Sequence, residues 1–545
     1  MSFVGKTARN ASIQIFAQLV MRVFTFISNA FVVRSVGPIV LGVGLLQLEL
    51  LFTGVLVFVR DGIRKAAYRC SVPTEFGEKE ATNTRINLSP SQRSMLNMCW
   101  LFCLPSGFLV ACAASWVFIR WPKDGVFEAI TEAEYQSAIL LTLVGVVVAL
   151  FSEPLHLVAQ DSSLQHVRAS VETLATVAKC LSTLSYVIFF KGSGVIAFGA
   201  GNLAYATALL GGYGWYFVFR RNMNVVTFLP RRLVSVGPAR PWYEPSIGHT
   251  TTQMTLNNVL KWFLEQGENI VMVWLGTAEQ GGAYAVVTNL GSIIVRLLFQ
   301  PVEERSLAAF GELENGNKRQ PLFRLFSLLI NILLKLGLVF VCFGPPFSHL
   351  LLHILYGERW SSVAMAPRLL SWYCVYILVL ALNGVCEALV QGSASQRDLR
   401  SYNFYVVVFS ISFLLSLVVL VHYGPVGMIV ANLAKMGCRI CVCMCVFIHP
   451  FFKTHLPEFS ASSWRVVLPS SATVAALFAS VAVLRLSNTH LWGEGVTGFF
   501  SHQALNGVLH IFVGVCCLLV ASVVTYVREG RQLVSLYRSI DRSSD

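Results

Sequence analysis

Apolar runs of about twenty to thirty residues, separated by short polar stretches, recur along the whole chain. A run of about 20 apolar residues rises 1.5 Å per residue in a helix and crosses the hydrocarbon of a bilayer. Lipid offers no partner to a backbone N–H or C=O, so such runs must become helices. The pattern predicts about fourteen transmembrane helices, at 10–33, 36–59, 94–119, 135–158, 166–190, 194–219, 253–275, 278–300, 322–343, 367–392, 402–421, 424–448, 465–486 and 503–527. The seventh is the least apolar, because Lys261, Glu265 and Glu268 fall inside it. The first is too long for a removable signal peptide and lacks a small-residue cleavage site.

Composition agrees. Hydrophobic residues make up 55% of the 545 and charged residues only 13%, about half the usual share in a soluble chain. The fold class expected is therefore an all-α polytopic membrane protein. A net charge of +13 would suggest nucleic acid in a soluble protein; here basic loops orient helices instead, and no nucleic-acid partner is expected. Keeping the seventh span puts most loop arginines and lysines on the side of the N-terminus. Arg60, Arg64, Lys65, Arg69, Lys79, Arg85 and Arg93 surround the loop after the second span, and Arg220, Arg221, Arg231, Arg232 and Arg240 follow the sixth span. Both termini are expected in the cytosol. The cysteines lie mostly in apolar spans as small hydrophobes. Helical spacing turns Cys443 away from Cys438, Cys441 and Cys445, which argues against a metal cluster.

A faint repeat runs through the chain. Gly37-Pro38-Ile39-Val40-Leu41-Gly42 precedes one apolar span, and Gly276-Thr277-Ala278-Glu279-Gln280-Gly281 precedes another. Glu153, late in the fourth span, is echoed by Glu387, late in the tenth. Six spans separate the copies, and an even number preserves orientation, so the repeats are parallel. The expected architecture is two six-helix lobes, 1–219 and 253–450, joined by a cytosolic linker at 220–252, with two extra helices and a tail at 451–545. Two such lobes enclose a central cavity suited to alternating access.

Charge inside the spans carries the chemistry. Arg22 lies more than ten residues from either end of the first run, too deep to snorkel comfortably. An arginine at the bilayer centre is disfavoured by at least ~2.5–3.5 kcal/mol, so it faces a polar interior. Near mid-depth lie Arg22, Lys179, Lys335, Lys435 and Arg439, against Glu49, Glu265 and Glu268. Arg60, Arg64 and Arg296 lie nearer the cytosolic boundary. This cationic excess suits an anionic headgroup, and the arginine fork suits phosphate. Arg22 and Arg439 are expected to line a common cavity, with Lys435 four residues from Arg439 on the same helix face. Lys179 and Lys335 read equally well as partners of glutamates on other helices. Glu303 and Glu304 read as a cytosolic gate closing on the Arg64 region, and Lys261 with Glu265 as a local helix pair. His156 and His166 flank a loop as ordinary side chains. Gly5-Lys6-Thr7 lacks the earlier glycine of a P-loop. With neither a nucleophile elbow nor a metalloprotease motif, an enzyme is not expected, nor is a cofactor or a metal.

Leu264-Glu265-Gln266-Gly267-Glu268-Asn269 and the block Asn289-Leu290-Gly291-Ser292-Ile293-Ile294-Val295-Arg296-Leu297-Leu298-Phe299-Gln300-Pro301-Val302-Glu303-Glu304 resemble the Rft family. So do Ser152-Glu153-Pro154, Leu382-Asn383-Gly384-Val385 with Glu387, Arg400-Ser401-Tyr402-Asn403-Phe404 and Met436-Gly437-Cys438-Arg439-Ile440. The likeness runs from the first span to the last, and the 70–92 loop and the tail match poorly. It implies the fold of the multidrug and oligosaccharidyl-lipid exporters, including bacterial lipid II flippases with fourteen helices. It also implies a role in moving dolichol-diphosphate oligosaccharide across the endoplasmic-reticulum membrane for N-glycosylation. The implied partners are that lipid, membrane lipids and the glycosylation machinery. A non-transporting factor that supports the same pathway shares every sequence feature. A small-molecule antiporter is a third reading, and the basic excess argues against it.

The expected topology leaves the sequons at Asn10 and Asn87 in the cytosol. Neither should carry a glycan. A glycosidase-sensitive mobility shift that vanishes in Asn87→Gln would overturn that topology.

Overall fold

In a computed structural model, the chain is described over residues 21, 23–70, 89–122, 125–160, 164–190, 194–233, 241–361, 365–456, 464–465, 467–492 and 502–544. Among these residues there are helices and turns but no strand. Twelve helices are long and apolar enough to cross a membrane. They are Pro38–Val59, Pro90–Arg120, Glu132–Ala159, His166–Phe189, Gly194–Arg220, Ala278–Asn315, Arg319–Tyr356, Met365–Ser393, Arg397–Tyr423, Pro425–His455, Ser471–His490 and Leu505–Gly530. These answer to the second to sixth and eighth to fourteenth expected spans. Of the first, only Met21 and the apolar helix Val23–Ser35 are described. The seventh is a helix of 31 residues, Pro245–Leu275, whose polar side chains keep it out of the apolar set. The total of fourteen thus stays an expectation.

Local chemistry sets the helix ends. Ser89 and Thr131 open the third and fourth spans with reciprocal capping boxes to Gln92 and Glu134. Pro38, Pro90, Pro245 and Pro425 occupy first-turn positions, where a missing N–H costs nothing. Gly357 and Gly424 turn the chain with positive φ of 87° and 72°.

Two compact units form, Met1–Gly282 and Ala283–Asp545. In the first, the fourth span packs along the sixth, the fifth along the sixth, and the second against the third and fourth. The seventh helix packs on the second span and on a short amphipathic helix, Asp61–Cys70. In the second unit, the tenth span is central, touching the eighth, ninth and twelfth, while the fourteenth packs on the ninth and thirteenth.

The stretch between the sixth and seventh spans is bolted to the third. Asn97, fully buried, bridges the chain: its Nδ2 donates to the carbonyls of Arg231 (2.5 Å) and Trp242 (2.6 Å), and its Oδ1 accepts from the Arg231 N–H (2.9 Å). Trp100 donates to the Phe228 carbonyl at 2.7 Å, and Ser94 accepts from the Glu244 N–H at 2.6 Å. The helix that follows begins at Pro245, so the last residues of the expected linker are already helical.

The glycine echo has a spatial meaning. A Cβ on Gly42 would lie 2.1 Å from the Ala278 carbonyl oxygen, and one on Gly282 would lie 1.9 Å from that of Pro38. The starts of the second and eighth spans therefore meet backbone to backbone, as small residues permit in membranes. Gly37, one turn away, has nothing within 4 Å of such an atom.

This contact separates two neighbouring glycines experimentally. Gly282→Ala should lower the thermal unfolding midpoint in detergent, for an overpacking cost of about 1–3 kcal/mol. Gly37→Ala should leave it unchanged. Equal tolerance of both would show that the close approach is absent.

Candidate substrate-handling sites

In the first unit the basic groups gather where the second span ends. The apolar helix stops at Arg60, and Asp61–Cys70 continues with charge on one face. Glu153 reaches this turn from the fourth span, where it is 2% exposed. Arg64 meets it with a paired fork, Nε to Oε2 at 2.8 Å and Nη2 to Oε1 at 2.6 Å. Arg60 Nη1 lies 3.5 Å from the same Oε1, and Arg60 Nε donates to Asp61 at 3.2 Å. Gln160 holds the turn from below, its Nε2 donating to the Arg64 carbonyl at 2.8 Å. Lys65 donates to Asn258 Oδ1 on the seventh helix. The immediate balance is three cations against two carboxylates. Both arginines keep further N–H donors beyond these bonds, since a guanidinium carries five. The carboxylate that meets Arg64 is thus Glu153, marked in the sequence only as a repeat position.

His156 lies one turn beyond Glu153, in the last turn of the fourth span before the loop, and is buried. Its Nδ1 faces the Tyr213 hydroxyl at 3.0 Å, and Glu172 lies 4.0 Å away. Lys179 pairs with Glu49 at 2.7 Å and leans over the Phe52 ring. Lys261 and Glu265 form an exposed pair on successive turns at 3.5 Å. Glu268 lies one turn further along the same helix, partly buried.

In the second unit the other echo glutamate is also held by an arginine. Arg439 Nη2 donates to both oxygens of Glu387 at 2.8 Å and to the Tyr402 hydroxyl at 3.3 Å. Asn383 and Gln391 add amide donors to the same carboxylate, each at 3.2 Å. A cavity of about 210 Å³ opens beside the pair, lined by Glu303, Asn383, Gly384, Glu387 and Arg439 among apolar side chains. Lys435, four residues before Arg439, stands over the Phe413 ring at 3.7 Å. Lys335 pairs with Glu529, which also accepts from Thr473 at 2.7 Å. Arg296 is exposed, where the eighth span widens into a π-helical turn, Val295–Phe299. Glu304 is exposed and accepts from Gln300 at 2.9 Å. Arg22 lies outside the described residues.

The structure therefore gathers Arg60 and Arg64 in one place and Arg439 with Glu303 in another. The sequence reading missed Glu153, Glu387, Asn383 and Tyr402 as partners. The signal for the two glutamates was present: a carboxylate inside an apolar run needs a cation.

The sequence profile of the family described as "Rft protein" matches residues 6–539. The chain is 30% identical to the "Man(5)GlcNAc(2)-PP-dolichol translocation protein RFT1" of Xenopus tropicalis, over 94% of this chain and 92% of that one. It is 27% identical to the protein of the same name in Mus musculus, over 99% and 98% of the two chains. With that of Saccharomyces cerevisiae (strain ATCC 204508 / S288c) the identity is 25%, over 87% and 88%. Among solved structures, the fold is similar to "Lipid II flippase MurJ, inward closed conformation", with a TM-score of 0.55 and 11% identity over 96% of this chain and 99% of that one. It is also similar to an inward-facing MATE family multidrug transporter, with a TM-score of 0.50 and 13% identity over 80% and 96%.

The buried fork between Arg64 and Glu153 predicts strong coupling. Removing one member of a buried pair costs about 3–5 kcal/mol, because the other is left unpaired. Glu153→Gln should therefore destabilise the protein in detergent, and Arg64→Met combined with Glu153→Gln should recover part of the loss. Additive losses in that double-mutant cycle would show that the two side chains do not interact.

Proposed function

This chain belongs to the Rft protein family, and on that premise we propose that it moves a dolichol-diphosphate-linked oligosaccharide across the endoplasmic-reticulum membrane for N-glycosylation. The observation that carries the proposal is the full-length likeness to relatives named for Man(5)GlcNAc(2)-PP-dolichol translocation. The fold, similar to that of a lipid II flippase, supports it. Both are architectures that handle large amphiphiles, with a polar headgroup and a polyprenyl-like tail in different surroundings.

The reading assigns the diphosphate to Arg60 and Arg64. Two arginines there share Glu153, and their remaining donors match phosphate oxygens. A diphosphate arriving at this turn exchanges partners with Glu153, so binding is linked to loosening of the second and fourth spans. Such a linkage is what alternating access requires, because a ligand shifts a conformation only through differential contacts. Arg439 is a weaker phosphate site, since a second carboxylate, Glu303, stands beside the same cavity. Arg22, from the first span, remains a candidate for the same headgroup. We propose further that the two halves are parallel six-helix repeats, with both termini in the cytosol. Membrane lipids form the surroundings, and the glycosylation machinery is a candidate partner.

The test is reconstitution. Purified protein in liposomes carrying the dolichol-diphosphate oligosaccharide should accelerate its movement between leaflets over protein-free liposomes. Arg60→Ala with Arg64→Ala should reduce the rate about tenfold or more, at about 1.5–3 kcal/mol per charged hydrogen bond lost. Arg64→Lys should reduce it less than alanine while leaving protein abundance unchanged. No movement by folded wild-type protein would overturn the proposal in favour of a supporting role without transport.

A further inference from the structure

A cavity of about 720 Å³ opens in the first unit, between the third span and the start of the seventh helix. Ligand sites commonly measure about 300–1,000 Å³. Val59 and Ile63 form one wall, and each directly precedes an arginine of the Glu153 turn, Arg60 and Arg64. Rings from Phe102, Trp242 and Tyr243 face hydroxyls from Thr251, Thr252 and Thr255 across the space. No carboxylate, lysine or arginine lines it. Phe102, Trp242 and Leu256 are exposed among the lining and leave the space open on one side.

The threonines are not alike. A threonine inside a helix can donate to the carbonyl four residues back. Thr252 does so to Gly248 at 3.0 Å, and Thr255 to Thr251 at 2.9 Å. Their oxygens keep lone pairs that can accept. Thr251 lines the same cavity and is 5% exposed, yet its Oγ1 has no partner. Leaving a buried hydroxyl unpaired is costly, so it marks a place where a hydrogen-bonding guest belongs. The aromatic side is held in position independently. Phe102 meets Tyr243 edge-on at 5.6 Å. A Cβ on Gly248 would lie 3.0 Å from Tyr243 Cε2, so glycine lets that ring rest on the seventh helix. Arg232 stands over the Trp242 ring at 5.4 Å, and Asn97 holds the Trp242 carbonyl at 2.6 Å.

We propose that this cavity is a carbohydrate subsite, which takes a neutral sugar ring between the Trp242 and Tyr243 rings and the Thr251 hydroxyl. A pyranose has an apolar C–H face and a rim of hydroxyls that both donate and accept. The face suits an aromatic ring. The rim supplies the partner that Thr251 lacks and donors for the oxygens of Thr252 and Thr255. A hydrocarbon chain would leave Thr251 unpaired, and an anion finds no lysine or arginine in the lining. The identity of the sugar rests on the transport reading above. The cavity borders the turn assigned there to the diphosphate, and a sugar joined to that diphosphate must lie close beside it.

The test uses purified full-length protein in lipid nanodiscs free of sugar-based detergent. The probe is the free glycan Man(5)GlcNAc(2), without lipid or diphosphate, and binding is read by saturation-transfer NMR with titration. Wild type should bind it saturably. Thr251→Val keeps the shape and removes the hydroxyl, and should weaken binding about three- to tenfold. The thermal midpoint of Thr251→Val should match that of wild type, because no internal hydrogen bond is lost. Trp242→Ala should weaken binding about tenfold or more. Thr250→Val, whose hydroxyl bonds the Ser246 carbonyl and does not line the cavity, should bind as wild type does. If Trp242→Ala fails to fold, Thr251→Val decides. No saturable binding to wild type, or equal affinity in wild type and Thr251→Val, would overturn the proposal. Binding of farnesol in place of the glycan, lost in Trp242→Ala and kept in Thr251→Val, would overturn it in favour of a site for the lipid tail. The free glycan carries neither tail nor diphosphate, so the transport reading can fail while this site stands, and the reverse.

Discussion

Four carboxylates carried into the apolar helices, Glu49, Glu153, Glu387 and Glu529, each meet a basic side chain from another helix. In lipid an unpaired charge is costly, and no water stands ready to solvate it. Each pair therefore acts as a register mark: the two helices are held at the one offset that brings the charges together. The second span is fixed to the fifth by Glu49 and Lys179, and the turn after it to the fourth by Arg64 and Glu153. In the second unit the tenth is fixed to the twelfth, and the ninth to the fourteenth. Apolar packing alone would tolerate sliding between such helices, because lipid tails are as apolar as leucine.

The two echo glutamates sit in alike positions but in unlike electrostatic company. Glu153 faces two arginines, Arg60 and Arg64, more positive charge than its own. Glu387 faces one arginine, and a further carboxylate, Glu303, borders the same cavity, a surplus of negative charge.

The link between the sixth and seventh spans illustrates what patterning misses. Its prolines mark it as a loop, and by composition it is a passive tether. In the structure Ser94, Asn97 and Trp100 hold its backbone from the third span. Backbone groups away from water must be bonded somewhere, and the polar first turns of the third span supply the partners. A buried asparagine at such a position is a sign that irregular chain packs against it.

The alternation of apolar runs and polar breaks determined the all-α class and the places of the twelve apolar spans, because a helix that must satisfy its own backbone depends on local residues alone. Charge content likewise singled out Arg60, Arg64, Arg439, Lys179 and Lys335 as side chains in need of company. Sequence could not say which partner each would take, because Glu153 lies 89 positions from Arg64 and Glu387 lies 52 from Arg439. The hydropathy pattern likewise understated the seventh helix, since Lys261 and Glu265 satisfy each other on successive turns and cost less than separate charges. Only the tertiary structure decided the pairings, the crossing of Gly42 with Gly282, and the cavity beside Asn383. Each depends on how helices far apart in the chain approach, and local periodicity carries no record of that.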